Sequence, residues 1–425
     1  MQNLIPYFRK RTIKALSEDH LKRDLLEDKK ESILLLDSDG LSHYTSYLAF
    51  GLSKYRRIIL YGFSSDYYIV SGAAKNKKIE FHDVTKTLPK GDSLVKIILQ
   101  SLCLFFILFR AITKSKYDIV HFQGYLPMFF LLIPLLKIKR KRIFWTMHDT
   151  TIMPSYNGAK GQLEMLYIKV TSQPSYLTRQ ADKIIVHANS LKDYLKSKGT
   201  NSDKIHVIPH FDYRYLLGYY DIGRMVNPAA NNITKFIHSK SLTDYILFFG
   251  HITPYKGIDV FINAARIVRK RIQNANRINI LIAGKGDTSY FDDLINEDDH
   301  KYIHIYNNYI TSSEIPDLIT NSIFLVLPYT STFRSQSGVI PLSYTFSKPV
   351  IVSNVESLTE YVDHGKTGFI FETGNSEQLA NYMMELLENS SKCTEMGKNA
   401  YEKMLHDMSL ERCCETLNKL YEISK

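Results

Sequence analysis

The chain has 425 residues, enough for two or three domains, and its 44% hydrophobic and 23% charged content is that of a globular protein, not a disordered one. Its net charge of +11 lies wholly within residues 1–150, which hold 25 Lys and Arg against 14 Asp and Glu; beyond residue 150 the signs balance. Four cysteines (Cys103, Cys393, Cys413, Cys414) show neither CxxC nor His-linked spacing, which argues against zinc and a disulfide framework and fits a reducing compartment.

Residues 1–31 read as a charged arm lacking the apolar core of a signal peptide, so export is not expected. Residues 32–215 then alternate β-branched runs with helix-length stretches. Strands are predicted at "SILLLD", "RRIILYG", "YYIV", "YDIVHF", "RIFWTM", "DKIIVHA" and "KIHVIP", with helices over Tyr44 to Lys54 and Ser93 to Lys116. Residues 216–243 are polar and Asn-rich and read as an irregular interdomain connection. Residues 244–408 repeat the alternation with "YILFFG", "INILIAG", "YIHIYN", "IFLVLPY", "PVIVSN" and "GFIFE", separated by helices over Gly257 to Lys270 and Glu314 to Ser322. Residues 409–425 form a last helix expected to pack back toward the first domain. Two alternating series predict two doubly wound α/β domains facing across a cleft, with ligands outside the carboxyl ends of the strands.

Two apolar runs in the basic third, Ile97 to Phe109 and Tyr125 to Leu136, are too short to span a bilayer. Lys96, Arg110, Lys114 and Lys116 flank the first, and Lys137 to Arg142 follow the second, which suits docking on an anionic membrane surface. No aromatic-basic interleaving points to nucleic acid.

The strand ends supply the candidate site. Gly338 opens a helix-length run with Pro341 in its first turn, an arrangement whose free N–H groups suit a phosphate. Lys256 precedes Gly257 at another helix start, where it can neutralise a diphosphate. His148 and Asp149 close one strand and His121 lies near the end of another, so histidine can donate a hydrogen bond or shuttle a proton there. Gly40, with His43 and Tyr44, follows the first strand as a substrate loop. Asp37-Ser38-Asp39 is formally a DxD, but it closes that strand and no metal is assigned to it.

The ordered set "DIVHFQ", "TMHD", "ADKIIVHANSLKDYL", "KIHVIP", "ILFFGHITPYKGIDVFINAA", "LIAGKGD" and "SGVIPLSYTFSKPVIVSNVESLTEYVDHGKTGFIF" resembles retaining GT-B glycosyltransferases of family 4, from about Ser32 to Tyr421. The resemblance implies a metal-independent transferase without a cofactor, its donor a UDP- or GDP-linked sugar. It places Gly250, His251, Lys256, Gly284, Ser335, Ser337, Gly338, Val339 and Ser343 around the donor, with His148 and Lys256 in catalytic roles. It places Gly40, His43, Tyr44 and Gln123 toward the acceptor. The chain departs from the pattern where a glutamate pair usually stands, having Ser335 and Ser343, and where an arginine and an asparagine are usual, having His251 and His210. The expected acceptor is a saccharide or lipid-linked saccharide at the inner face of a bacterial plasma membrane, in surface-polysaccharide assembly. A non-catalytic nucleotide-sugar-binding subunit is the alternative reading.

Overall fold

The structure is a computed structural model that describes residues 31–37, 42–62, 78–85, 94–126, 128–149, 174–217, 232–272 and 278–423, with isolated positions between 162 and 170. Residues 1–30 of the N-terminal arm, the "YYIV" run and Gly40 lie outside the described residues.

Seven parallel strands form the first sheet: β1 (Ile33–Leu36), β2 (Ile58–Gly62), β3 (Ile79–Asp83), β4 (Ile119–Gln123), β5 (Arg142–Thr146), β6 (Lys183–Val186) and β7 (Ile205–Val207). Their spatial order is β3-β2-β1-β4-β5-β6-β7. Every residue of β1 is buried, because helices cover both faces of a parallel sheet and a run such as Ile-Leu-Leu-Leu has no solvent side. At the edge, β3 is only half-buried and mixes Glu80, His82 and Asp83 with two apolar residues, so its hydrophobic signal is weak and sequence reading passes over it.

Six parallel strands form the second sheet: β8 (Tyr245–Phe249), β9 (Ile280–Gly284), β10 (Ile303–Asn307), β11 (Ser322–Leu327), β12 (Val350–Ser353) and β13 (Gly368–Phe371). The order is β10-β9-β8-β11-β12-β13. In each sheet the chain winds outward one way and returns to wind the other way. The switch points lie between β1 and β4 and between β8 and β11, and the carboxyl ends of the strands there are where folds of this kind bind their ligands.

Four helices matter for the site: α1 (Ser42–Leu52), α2 (Leu94–Lys114), α3 (Asn189–Ser197) and α4 (Asn232–Ser239). The last corrects the irregular connection expected from sequence: Ile233 and Ile237, four apart, bury one face of a short helix beside Glu314, whose carboxylate accepts the Ile233 N–H. The connection reads as polar because only that narrow face is apolar. In the second domain follow α5 (Ile258–Arg271), α6 (Val339–Thr345), α7 (Glu356–Thr359) and finally α8 (Leu410–Ile423).

Helix α8 lies against α1 of the first domain, so close at Gly51 that a Cβ there would sit 2.5 Å from Cys414 Sγ. Asp212 starts α8 by accepting the Leu410 N–H at 2.7 Å, and Asn418 accepts from Arg56 Nε at 2.7 Å.

The two apolar runs part ways. In Tyr125 to Leu136, the side chains of Leu126, Phe129, Leu132, Ile133 and Leu136 enter the core. Helix α2 instead leaves Phe106 65% exposed, with Ile98, Leu99, Leu102 and Phe109 also on the surface. No helix among the described residues is long and apolar enough to cross a membrane.

Candidate active site

Lys256 ends a short 3-10 turn (Pro254–Lys256) that feeds α5 through Gly257. Gly257 has φ 63°, and a Cβ on it would lie 2.0 Å from the Pro328 carbonyl oxygen, so glycine lets this turn lie flat on the end of β11. The turn sends Lys256 inward, not to solvent. Its Nζ sits 3.6 Å from the ring centre of Tyr329, 4.7 Å from Phe333 and 5.3 Å from Tyr255. Burial lowers its pKa to about 8, opposed by the partial negative charge of Tyr255 and by Asp149. An ammonium group in an aromatic box keeps some attraction from the ring faces, yet it lacks the water it has lost. An anion beside it would replace that lost hydration.

The same tyrosine joins the lysine to the glycine turn, since Tyr329 Oη lies 3.1 Å from Ser337 Oγ. Ser337 Oγ accepts a long bond from the Val339 N–H at 3.4 Å. Gly338 caps α6 and faces the first domain: a Cβ on it would lie 2.8 Å from Tyr213 Oη and 3.2 Å from His210 Nε2. Ser335 crosses the cleft, donating its hydroxyl to the His148 carbonyl at 2.8 Å, and an antiparallel bridge pairs it with Asp149. Ser343 is fully buried and donates to the Lys348 carbonyl at 2.9 Å. Both serines are therefore held by protein partners in this structure.

Gly250 (φ 139°) has no heavy atom within 4 Å of where a Cβ would stand, so it borders open space beside the exposed His251. Gly284 (φ 154°) is different, because its added Cβ would fall 1.8 Å from the Gly250 carbonyl oxygen. Its bareness shapes the Gly250 turn.

On the first domain's side, His148 and His187 stand just beyond the ends of β5 and β6, whereas His121 lies mid-strand in β4, buried in the sheet and not at its end as expected. Burial lowers the pKa of His121 to about 3 and that of His187 to about 4. It also lowers that of His148, where the neighbouring histidines add to the effect. All three rings are neutral at pH 7, and their hydrogen bonds fix the tautomers. The Ile208 carbonyl can only accept, so His187 Nδ1–H donates to it at 2.9 Å. His187 Nε2 then accepts from His148 Nδ1–H at 3.0 Å. Gln123 stands between the next two rings, its Oε1 3.3 Å from His148 Nε2 and its Nε2 3.1 Å from His121 Nε2; turning the amide end for end, so that its NH2 faces His148, satisfies this order. His121 Nδ1 accepts from Tyr421 of α8 at 2.5 Å. A continuous buried chain thus runs from the last helix to His148.

Tyr44 and Gln123 are buried beneath the cleft and not presented to it. Tyr44 packs on Phe211 at 4.1 Å and edge-on to His148 at 4.6 Å, forming a floor. His43 is half-buried and stacks on Tyr213 at 5.9 Å. Asp37 accepts from Thr45 Oγ1 at 2.6 Å, tying the first strand to α1.

Sequence reading missed the aromatic box, His187 and the clamp made by Glu360. That carboxylate accepts the N–H groups of Asn189 (2.6 Å) and Ser190 (2.8 Å) at the start of α3, across the domain boundary. Tyr361 beside it donates to the His187 carbonyl. Only His187 carried a signal, as a third histidine at a strand end in "IIVHAN". Replacing Glu360 with Ala should lower stability by about 1 kcal/mol, the worth of a lost helix cap. Thermal unfolding would show this as a lower Tm, with Glu360→Gln intermediate.

Two doubly wound domains facing each other at their switch points form the GT-B fold, and two glycosyltransferase family models divide the chain along the same line. Residues 42–211 match the model described as Glycosyltransferase Family 4, and residues 231–403 match Glycosyl transferases group 1. An uncharacterised glycosyltransferase of Methanocaldococcus jannaschii is 26% identical over 274 residues, covering 63% of this chain and 73% of that protein. The capsular polysaccharide biosynthesis glycosyltransferase CapM of Staphylococcus aureus is 25% identical over 197 residues, 45% of this chain and 50% of the relative, so the match spans half of its length. Among solved structures, HepE of Anabaena with UDP and glucose superposes with a TM-score of 0.63 at 15% identity, covering 92% of this chain and all (100%) of that one. Sucrose-phosphate synthase of Thermosynechococcus elongatus gives a TM-score of 0.66 at 16% identity, over 92% and 98% of the two chains.

Proposed function

We propose that this glycosyltransferase moves a sugar from a UDP-linked donor onto a hydroxyl of a lipid-linked saccharide, with retained anomeric configuration and without a metal. The observation that carries the reading is Lys256, buried in its aromatic box and joined through Tyr329 to the Ser337–Gly338 turn. The departing diphosphate gains charge in the transition state, and a pre-placed lysine stabilises that charge without reorganisation. His148, neutral and oriented by His187, holds the donor sugar or the acceptor hydroxyl. The structural neighbour bound to UDP-glucose supports a uridine nucleotide. A thermal-shift series with UDP-, GDP- and other nucleotide sugars tests donor binding, since a ligand of the folded state raises Tm. Release of nucleotide upon adding a saccharide acceptor then tests transfer. Donor binding without turnover under any acceptor would favour the non-catalytic subunit, a reading prompted by the protein-bound Ser335 and Ser343.

The acceptor's lipid is proposed from α2. Phe106, Ile98, Leu99, Leu102 and Phe109 form its exposed apolar face, and Arg110, Lys114 and Lys116 lie exposed at or beyond its end. Lys139 reaches the Thr113 carbonyl at 3.4 Å, which brings the exposed Lys139 and Arg140 beside that end. An apolar stripe bordered by cations matches an anionic bilayer surface such as the inner face of a plasma membrane. Phe106→Ser should weaken co-sedimentation with anionic vesicles at any salt concentration. Arg140→Gln with Lys139→Gln should weaken it by about 1 kcal/mol per charge, and only at low salt. Sedimentation unchanged in both variants would reject this face.

A further inference from the structure

The Ser335–Gly338 turn contains a side chain that neither the family resemblance nor the comparisons assign. Gln336 is 7% exposed, and both its Nε2 and Oε1 are buried with no hydrogen-bond partner. A buried amide left unpaired costs about 1–3 kcal/mol, so native interiors seldom keep one without a use for it. Its polar neighbours are already committed. Ser335 donates to His148, Ser337 pairs with Tyr329, and Ser343 donates to Lys348. Of these four polar side chains, Gln336 alone keeps its full hydrogen-bonding capacity.

Resting on the proposed function, we infer that Gln336 reads the donor's sugar. A carboxamide offers two N–H donors and an acceptor oxygen, which complements a sugar hydroxyl, itself both donor and acceptor. A phosphate oxygen only accepts, and Lys256 already serves that role. Its sequence neighbour Ser335 closes the seam between the domains through the His148 bond and the Asp149 bridge, so Gln336 belongs to the segment that a donor entering there would meet. Gln336 thereby takes over the sugar recognition that carboxylates at positions 335 and 343 would otherwise provide.

The test compares UDP with UDP-glucose, UDP-N-acetylglucosamine and UDP-glucuronic acid by thermal shift and calorimetry on the full chain. In the wild type, one UDP-sugar should bind more tightly than UDP. Gln336→Met removes the amide at similar volume. It should leave the Tm of the ligand-free protein unchanged or higher, keep UDP binding within about twofold, and cut the preferred sugar's advantage over UDP at least tenfold. Gln336→Glu keeps the shape and serves if the Met variant fails to fold; it should shift the preference among the three sugars. An advantage over UDP that survives both substitutions, as a trapped water at the amide would give, overturns the assignment to Gln336 alone. So does a ligand-free Tm lowered by several degrees in both variants, which marks a purely structural group. No response of the wild type to any nucleotide would overturn the proposed function as well.

Discussion

Lys256→Ala should lower transfer on the order of 10²–10³-fold, the usual cost of deleting one pre-placed stabiliser of developing charge. The fold should survive, because burial opposes the lysine's ionisation more than Tyr255 and Asp149 favour it. The pH dependence gives a sharper signature. With a pKa near 8 in the free protein, the ammonium group is lost as pH rises through 8, so kcat/KM for the donor should fall above that pH. Stability should move the other way. The unfolded chain holds this proton up to its ordinary pKa of 10.5, so between pH 8 and 10.5 it binds more protons than the folded one. Stability therefore rises with pH across that window, and the penalty is complete below pH 8. Activity that falls while Tm rises, with both trends absent in Lys256→Ala, would identify this lysine. An alkaline limb that persists in the variant would assign it to another group.

Gly284→Ala should be among the most disruptive single substitutions in the chain. Its methyl group would stand 1.8 Å from the Gly250 carbonyl oxygen, and φ 154° already disfavours a side chain. Backbone must move, at a cost of about 3–5 kcal/mol. Since the displaced turn is the one bordering the crevice, the ligand-free Tm and the donor-induced shift should both fall. Gly250→Ala, at φ 139° but with nothing within 4 Å of its Cβ, carries the backbone strain without the clash and should cost less stability. Comparable Tm values for the two variants would contradict this account of the paired turns.

Much of the architecture was legible because a strand buried on both faces, such as Ile33–Leu36 or Val350–Ser353, is written as an unbroken apolar run. What escaped was either at an edge or short. Strand β3 carries three polar residues in five, and α4 buries only two side chains. At the site, sequence located strand ends but not the direction in which their side chains turn. Tyr44 and Gln123 stand at the expected positions and point into the floor, because His148 needs buried partners to hold its ring. Gln336 showed nothing in its chemistry to separate it from Ser335 and Ser337. Its distinction is the absence of a partner, which only the packing around it reveals.

Helix α8 also has a consequence for the order of events on the ribosome. The first sheet is complete in the sequence by Val207, yet the Tyr421 hydroxyl that reaches His121 is translated about 200 residues later. At roughly 5–20 residues per second, the wall of α1 that receives Leu410, Cys414 and Leu417 waits on the order of 10–40 s for its cover. A product stopped before Leu410 would carry both sheets but leave His121 without its tyrosine, so a closed histidine chain marks that the α8 segment has been made and docked.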